Sequence, residues 1–485
     1  MPKESQISYT FLAVVGLAAG LYPLVFYYDN NFTLINSWSH FTYFAGLFIV
    51  LPIVAMLIAG VFAKKWLENR MAQRLFLFVN GFAFLNFLQL CLRADISKKW
   101  TLIVLLVAAV FAFFLWNHIK KVVVLQFVLA VIALVSFAPQ LFDHLTASNQ
   151  WKTLPDAISE VRFVETPNIY VIQPDGYVNP SELEKGYYDI DNSNFENFLS
   201  AEGFKTYTEF RSNYGSTLST NSAIFAMKHH YYNEGQNFSE TLNARNVIVG
   251  ENPVLDILKD NGYTSYFISE KPYLFLNKPT VGYDYSNYTS AEVPFISTGL
   301  RTHKEIEPWL RTYLTDSVGT PKFMFVQMLL PGHINNQEVN SVGVEGERQS
   351  WMTKLETANQ KLKEIITMIK QNDPNPLIVV MADHGGFVGM EYTNQSYSKM
   401  TDRDKIYSVF SSILSVHWPE EPPSFDSKLV SSVNVFRILF AHLSKSTAYL
   451  DHLEPDESYL VVKEGAEKGI YQYIAPDGSI TFEKK

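Results

Sequence analysis

The sequence predicts an α/β protein in two parts. An N-terminal five-helix transmembrane bundle precedes a domain built on a mainly parallel central sheet flanked by helices. Three observations carry this. Five apolar stretches fall before residue 140, roughly 9–27, 41–63, 75–92, 100–116 and 122–137. Beyond residue 167 short apolar, β-branched runs alternate with helical patterns, as in sheets whose strands are covered on both faces. The run Pro376-Leu377-Ile378-Val379-Val380 leads into Met381-Ala382-Asp383-His384-Gly385-Gly386, which sets polar chemistry at the end of a buried strand.

Each apolar stretch approaches the ~20 residues needed to cross a bilayer, the third and fifth being the weakest. The basic residues between them set the orientation. Lys3, Lys64, Lys65, Arg70, Arg74, Lys120 and Lys121 fall on one side, whereas Arg93, Lys98 and Lys99 fall on the other. Seven against three predicts a cytoplasmic N-terminus. With an odd number of crossings, a multi-pass protein of the cytoplasmic membrane then carries everything after about residue 140 on its periplasmic or extracellular face. The first stretch exceeds a usual signal-peptide core, lacks a clear small-residue cleavage site, and is followed by further spans.

The remaining composition narrows the partners. A net charge of −9 offers no basic surface for nucleic acid, so that class is set aside. A single cysteine, Cys91, rules out a disulfide within the chain and any cysteine-built metal cluster. The 485 residues exceed one ordinary core. The expected division is residues 1–140 as the transmembrane domain, 141–166 as an amphipathic linker and 167–485 as the extracytoplasmic catalytic domain.

In the linker, Leu145, Trp151, Leu154, Ile158 and Val161 suggest one or two short helices near the bilayer surface, or a plain connection. The outer domain opens with the strand 168–173, ending in Pro174-Asp175-Gly176-Tyr177. A helix over 194–202 stops at Gly203, and 204–211 reads as a short strand. Ser212 to Ser222 is dense in hydroxyls and opens an apolar helix. Then follow a helix near 254–260, a strand over 264–269, and a strand over 322–330 that runs into Pro331-Gly332-His333. A long amphipathic helix over 348–371 precedes the Asp383-His384 strand. Another strand is expected within 405–415, a helix from Val433, and a closing hairpin from 459–462 and 471–474.

Asp175 and Asp383 end two strands some 200 residues apart, each close to glycine. In one open α/β sheet both would stand at the carboxyl edge, where such sheets bind ligands, and could converge on one metal together with His384. The glycines after His384 would let the backbone come close to whatever binds there. The hydroxyl run has a plain explanation, since Ser, Thr and Asn cap helices well. It also suits a nucleophile at a helix N-terminus, where backbone N–H groups favour an anionic substrate and a metal would activate the hydroxyl. Thr217 is the choice, with Ser216, Ser219 and Thr220 as rivals. His333 ends a third strand, where an imidazolium could hold a phosphate or sulfate.

This order of motifs resembles the alkaline-phosphatase superfamily. More closely, it resembles the membrane-bound, sulfatase-like group that includes lipoteichoic acid synthases and phosphoethanolamine transferases. The resemblance rests on Asn168–Tyr177, Asn213–Ser222, Pro331–His333, Asp383-His384-Gly385 and Val433–Leu439. It implies an alkaline-phosphatase-like catalytic domain, with Asp175, Thr217, Asp383 and His384 as metal ligands. Thr217 is implied as the residue that becomes covalently modified, and His333 as a substrate contact. Several departures matter. Asp175 stands where the transferases usually carry Glu. Thr217 lacks the Cys-x-Pro-x-Arg setting of formylglycine sulfatases, which speaks against classical sulfatase action. No Asp and His for a second metal are recognisable near His333, so one divalent ion, Zn or Mn, is expected. The implied activity is a metal-dependent transfer of a phospho-linked group, such as a phospholipid head group, to a surface glycan or lipid through a phospho-threonine. Rival expectations are a phosphodiesterase, phosphatase or sulfatase-type hydrolase of the same superfamily, and an inactive membrane-tethered assembly or binding protein.

Overall fold

The computed structural model describes residues 8–94, 97–234, 241–316 and 318–485. Lys3, counted above toward the orientation, lies outside the described residues. The chain forms two compact units.

The first unit comprises residues 1–146 with two later excursions, 276–278 and 290–301. Its helices are α1 (Tyr9–Ile35), α2 (Trp38–Ala45), α3 (Leu51–Trp66), α4 (Asn69–Arg93), α5 (Lys98–Leu115) and α6 (Ile119–Thr146). One π turn, Gly46–Val50, makes α2 and α3 a single rod. Among the described residues, four helical stretches are long and apolar enough to span a bilayer, not five. The correction has a local cause. The fourth and fifth expected spans share one helical stretch, Lys98–Thr146, interrupted only by a 3-10 turn at Trp116–His118. Contacts fix the chain direction at that turn. The guanidinium groups of Arg74 and Arg93 lie over the rings of Phe113 and Trp100, so α5 runs antiparallel to α4. The buried amides of Asn80 and Gln126 bond each other at 3.0 Å, and Phe87 and Phe137 share one cluster, so α6 runs parallel to α4. The stretch therefore doubles back at the turn. The excursions pack by aromatic stacking, with Phe295 lying flat on Tyr43 at 4.3 Å and edge-on to His40.

The second unit holds the α/β fold. Among the described residues its larger sheet has strands β1 (Ile169–Pro174), β2 (Lys205–Thr206), β3 (Thr264–Ser269), β4 (Tyr285–Ser286), β5 (Lys322–Met328), β6 (Leu377–Met381) and β7 (Leu414–His417). Their order is β2-β7-β6-β1-β5-β3-β4. Pairing from β6 through to β4 is parallel, and β7 and β2 add antiparallel edges. Strands β1, β5 and β6 are buried along their whole length, which is why they read as largely apolar runs, broken only by Gln173, Gln327 and the leading Lys322. A smaller antiparallel sheet joins β8 (Ser458–Val462), β9 (Gly469–Ile474) and β10 (Ile480–Lys484), one strand more than the expected hairpin.

Three local expectations are corrected. Only Lys205–Thr206 of 204–211 is strand. The segment 405–415 is mostly helix, Arg403–Phe410, started by Asp402, whose carboxylate accepts the N–H of Asp404 at 2.9 Å. The expected strand begins only at the segment's end, Leu414–His417. The linker forms two short 3-10 turns, Gln150–Lys152 and Ala157–Glu160. Its apolar residues Ile158 and Val161 are buried within the second unit, where the Asp156 carboxylate also accepts from buried Arg437 at 2.7 Å.

Candidate metal centre

The three central neighbours of the sheet, β6, β1 and β5, deliver the expected residues. Register pairs Ile172 with Val380, and the same offset three residues on sets Asp175 beside Asp383. Adjacent strands stand under 5 Å apart, so two carboxylates at one level are forced together. On the other flank Pro174 pairs with Met328, and the Asp175 N–H donates to the Met328 carbonyl at 2.9 Å. Strand β5 then turns through Pro331-Gly332 to His333.

Gly176 makes this turn possible. Its φ is +65°, and a Cβ there would stand 2.3 Å from the Gly332 carbonyl oxygen. Replacing Gly176 with Ala is expected to destabilise the second unit by about 2–4 kcal/mol, combining left-handed strain with a backbone clash. A thermal midpoint within a degree of the parent would refute that. The glycines after His384 serve another end than the one expected. Gly385 packs its α-carbon on the Ser408 carbonyl, and Gly386 packs on the Trp351 indole. They admit the protein's own layers rather than a ligand.

Asp383 and His384 are buried, and Asp175 nearly so. Asp383 Oδ1 accepts the N–H groups of Gly176 and His384, at 3.3 and 3.1 Å. Its Oδ2 is buried with no hydrogen-bond partner, and so is Asp175 Oδ1. Both face His384 Nε2, at 3.6 and 3.4 Å. The tautomer follows from the other ring nitrogen. Nδ1 lies 2.9 Å from the Gly385 carbonyl, which can only accept, so Nδ1 carries the proton and Nε2 presents its lone pair to the carboxylates. Thr217 Oγ1 completes the group, 3.5 Å from the same Nε2.

Lone pairs aimed at one another inside a protein are unfavourable unless a cation or a proton lies between them. The titration behaviour records this. Burial, reinforced by the Asp383 carboxylate, pushes Asp175 up to about 7. Burial opposes charge on His384, but Asp383 and Asp175 outweigh it and hold the imidazole above its ordinary value. The donor set fits a divalent metal. Four ligands at ~2.1 Å in a tetrahedron stand ~3.4 Å apart, close to the 3.4, 3.5 and 3.6 Å separations around Nε2.

Thr217 opens the helix Thr217–Ala226, with Ser216 as its cap accepting the Ser219 N–H at 3.3 Å. Of the rivals, Ser216 lines the cavity as the helix cap, whereas the other two are turned inward. Ser219 and Thr220 are fully buried, and the Thr220 hydroxyl donates to the Tyr214 carbonyl at 2.8 Å. Thr217 instead opens onto a cavity of about 350 Å³, which also exposes His333, His384, Tyr273, Asn336 and Thr393.

His333 is brought to this cavity with its ring 5.9 Å from that of His384. Its charge state differs from the expected imidazolium. Burial, with the neighbouring His384, pulls it down to about 4. Its Nδ1–H donates to the Ile334 carbonyl at 2.6 Å, so Nε2 holds a lone pair.

Sequence reasoning missed the groups that hold this arrangement. The amides of Gln173 and Asn221 bond each other at 2.7 Å, tying the end of β1 to the helix that carries Thr217. Buried Glu270 accepts the Leu329 N–H at 2.7 Å and Lys361 Nζ at 2.6 Å, anchoring the end of β5. The signal for Gln173 was a lone amide in an apolar strand; Glu270 left none.

The sulfatase family matches residues 193–444, a little over half the chain, taking in Thr217, His333, Asp383 and His384. The chain belongs to that family and, with it, to the alkaline-phosphatase superfamily of enzymes. Solved structures with a similar fold include the C-terminal periplasmic domain of EptC from Escherichia coli, at 12% identity and TM-score 0.44, over 64% of this chain and 93% of that one. Another is the lipoteichoic acid synthase LtaP from Listeria monocytogenes, at 12% and 0.41, over 67% and 90%. A third is the lipooligosaccharide phosphoethanolamine transferase EptA from Neisseria meningitidis, at 11% and 0.40, over 90% and 96%. No curated protein matches the sequence.

Proposed function

We propose that the protein is a membrane-anchored phosphotransferase that moves a phospho-linked group from a lipid donor to a hydroxyl acceptor through a covalent Thr217 intermediate. The observation that carries this is the placing of one cavity-facing hydroxyl, Thr217, beside Asp175, Asp383 and His384, two of whose buried oxygens lack partners. Those four residues would hold one divalent ion, Zn or Mn by their oxygen-rich, one-nitrogen character. When bound, it lowers the pKa of the hydroxyl and offsets negative charge on the reacting phosphoryl group.

The chain's residues divide the remaining work. Thr217 Oγ attacks phosphorus; the ester bond to the leaving alcohol breaks, and that alcohol departs with a proton. In the second half an acceptor hydroxyl attacks the same phosphorus, loses its proton and restores free Thr217. The helix N-terminus turns backbone N–H groups toward the phosphoryl oxygens. His333, neutral with an open Nε2, accepts a hydrogen bond from the entering or leaving hydroxyl. Amides and hydroxyls of Asn336, Thr393 and Ser396 line the cavity and suit a glycan acceptor.

The basic residues between the helices favour a cytoplasmic N-terminus and a catalytic unit on the far side, in the periplasm or outside the cell. There it would meet lipid head groups and envelope glycans.

Incubating the full chain with phospholipid and then measuring the mass of the Thr217 peptide tests the reading. A phospho-linked adduct on Thr217, discharged by an added sugar acceptor, is expected; an adduct on no residue would refute it. Discharge only by water would indicate a hydrolase. Replacing His333 with Asn is expected to lower kcat/KM roughly 10- to 100-fold with metal content unchanged. Loss of metal in that variant would show a structural part instead.

A further inference from the structure

The first unit holds an apolar cavity of about 430 Å³ between the later turns of α1 and α6, walled by Leu24, Phe32, Phe41, Phe137 and Leu141. That is the size of a small-molecule site. Besides Asn36 and Ser37, two polar side chains interrupt the apolar wall. Tyr28 is 9% exposed, and its hydroxyl is buried without a hydrogen-bond partner. His144 lies edge-on to Phe32 at 5.0 Å, and its Nδ1 is likewise buried without a partner.

Within an apolar cavity of a bilayer an unmet hydroxyl or imidazole finds little water to turn to. The cavity therefore asks for a ligand with an apolar body and a hydrogen-bonding head. Its depth says which. It lies near the C-terminal ends of α1 and α6, with Ser37 and Trp38 at its rim; Trp38 is 82% exposed, as in an interfacial aromatic belt. Just below the phosphates a diacyl lipid carries ester carbonyls that accept hydrogen bonds, whereas a polyisoprenyl phosphate carries only hydrocarbon there. The lining has no carboxylate to repel a phosphate.

We infer that this cavity binds a glycerophospholipid, with one acyl chain between α1 and α6 and its ester region hydrogen-bonded to Tyr28 and His144. Binding itself stands on the cavity alone. That the lipid belongs to the donor class rests on the proposed function.

The full chain, purified in detergent after exchange with vesicles of phosphatidylethanolamine and phosphatidylglycerol, would be weighed intact under native conditions. Wild type is expected to keep one phospholipid. Leu141→Trp, which fills the cavity from its lipid-facing side, should lose it, and Tyr28→Phe should retain roughly 5- to 10-fold less. Thr217→Ala should retain lipid like wild type. Lipid absent from wild type, equal retention in both cavity variants, or displacement by a polyisoprenyl phosphate at equal concentration would overturn the assignment. Retained lipid without any Thr217 adduct would instead count against the transferase reading, so the two failures remain distinct.

Discussion

Replacing Thr217 with Ala is expected to lower turnover by roughly three orders of magnitude or more, because a ping-pong transfer has no route once its nucleophile is gone. The geometry sharpens the expectation. Thr217 Oγ1 opens onto the cavity beside His384 Nε2, while Thr220 is bonded into the interior and Ser219 is buried beneath. Ser216 also lines the cavity but its hydroxyl caps the helix, so Ser216→Ala should cost about tenfold or less, through a weakened cap. Thr217→Ser keeps the oxygen and should recover much of the activity. Metal content separates chemistry from collapse. Thr217→Ala leaves Asp175, Asp383 and His384 in place, so metal measured on the purified variant should fall only in part. Full activity in Thr217→Ala would refute the nucleophile, and activity restored by no conservative variant would point to misfolding.

Much of this site was legible in the sequence because parallel sheets write their chemistry at predictable places. Buried strands appear as short apolar runs, and Asp175, His333 and the Asp383-His384 pair each follow one. What the sequence could not show was which strands are neighbours. The order β6-β1-β5 is a long-range property of the sheet, and it alone converts three separated motifs into one cluster. Charge states were also out of view. His333 reads from sequence as a phosphate-binding cation, yet burial beside His384 leaves it neutral. Glycines misled for a related reason, since Gly385 and Gly386 meet Ser408 and Trp351, residues distant in the chain. The helix over 403–410 was hidden by its β-branched and aromatic content, which local pattern alone assigns to strand. Excursions such as Phe295, stacked on Tyr43 in the helical unit, leave no local mark at all.

Stripped of metal by a chelator, the protein is expected to lose stability as pH rises from about 4 through about 7, the reverse of the usual carboxylate behaviour. The sign follows from proton linkage. Asp175 titrates near 7 in the fold against about 4 in an unfolded chain. His384 is also held above its ordinary value. For Asp175 the folded state binds more protons than the unfolded state across that window, and for His384 it does so from its ordinary value upward, so removing protons favours unfolding. For Asp175 alone the contribution is on the order of 4 kcal/mol. The same protons compete with a cation for the same lone pairs, so metal affinity should rise over the window in which metal-free stability falls. Asp175→Asn carries the argument further. It removes the acid that titrates near 7 and eases the repulsion, so the chelated variant should unfold at a higher temperature than chelated wild type at pH 8. At the same time it should bind metal at least tenfold more weakly, because an anionic ligand is lost. Thermal midpoints of both proteins across pH 4–8, with and without chelator, provide the measurement. Parallel curves for wild type and Asp175→Asn would mean that the two carboxylates and the imidazole do not share a cation, since a shared site must exchange protons for metal.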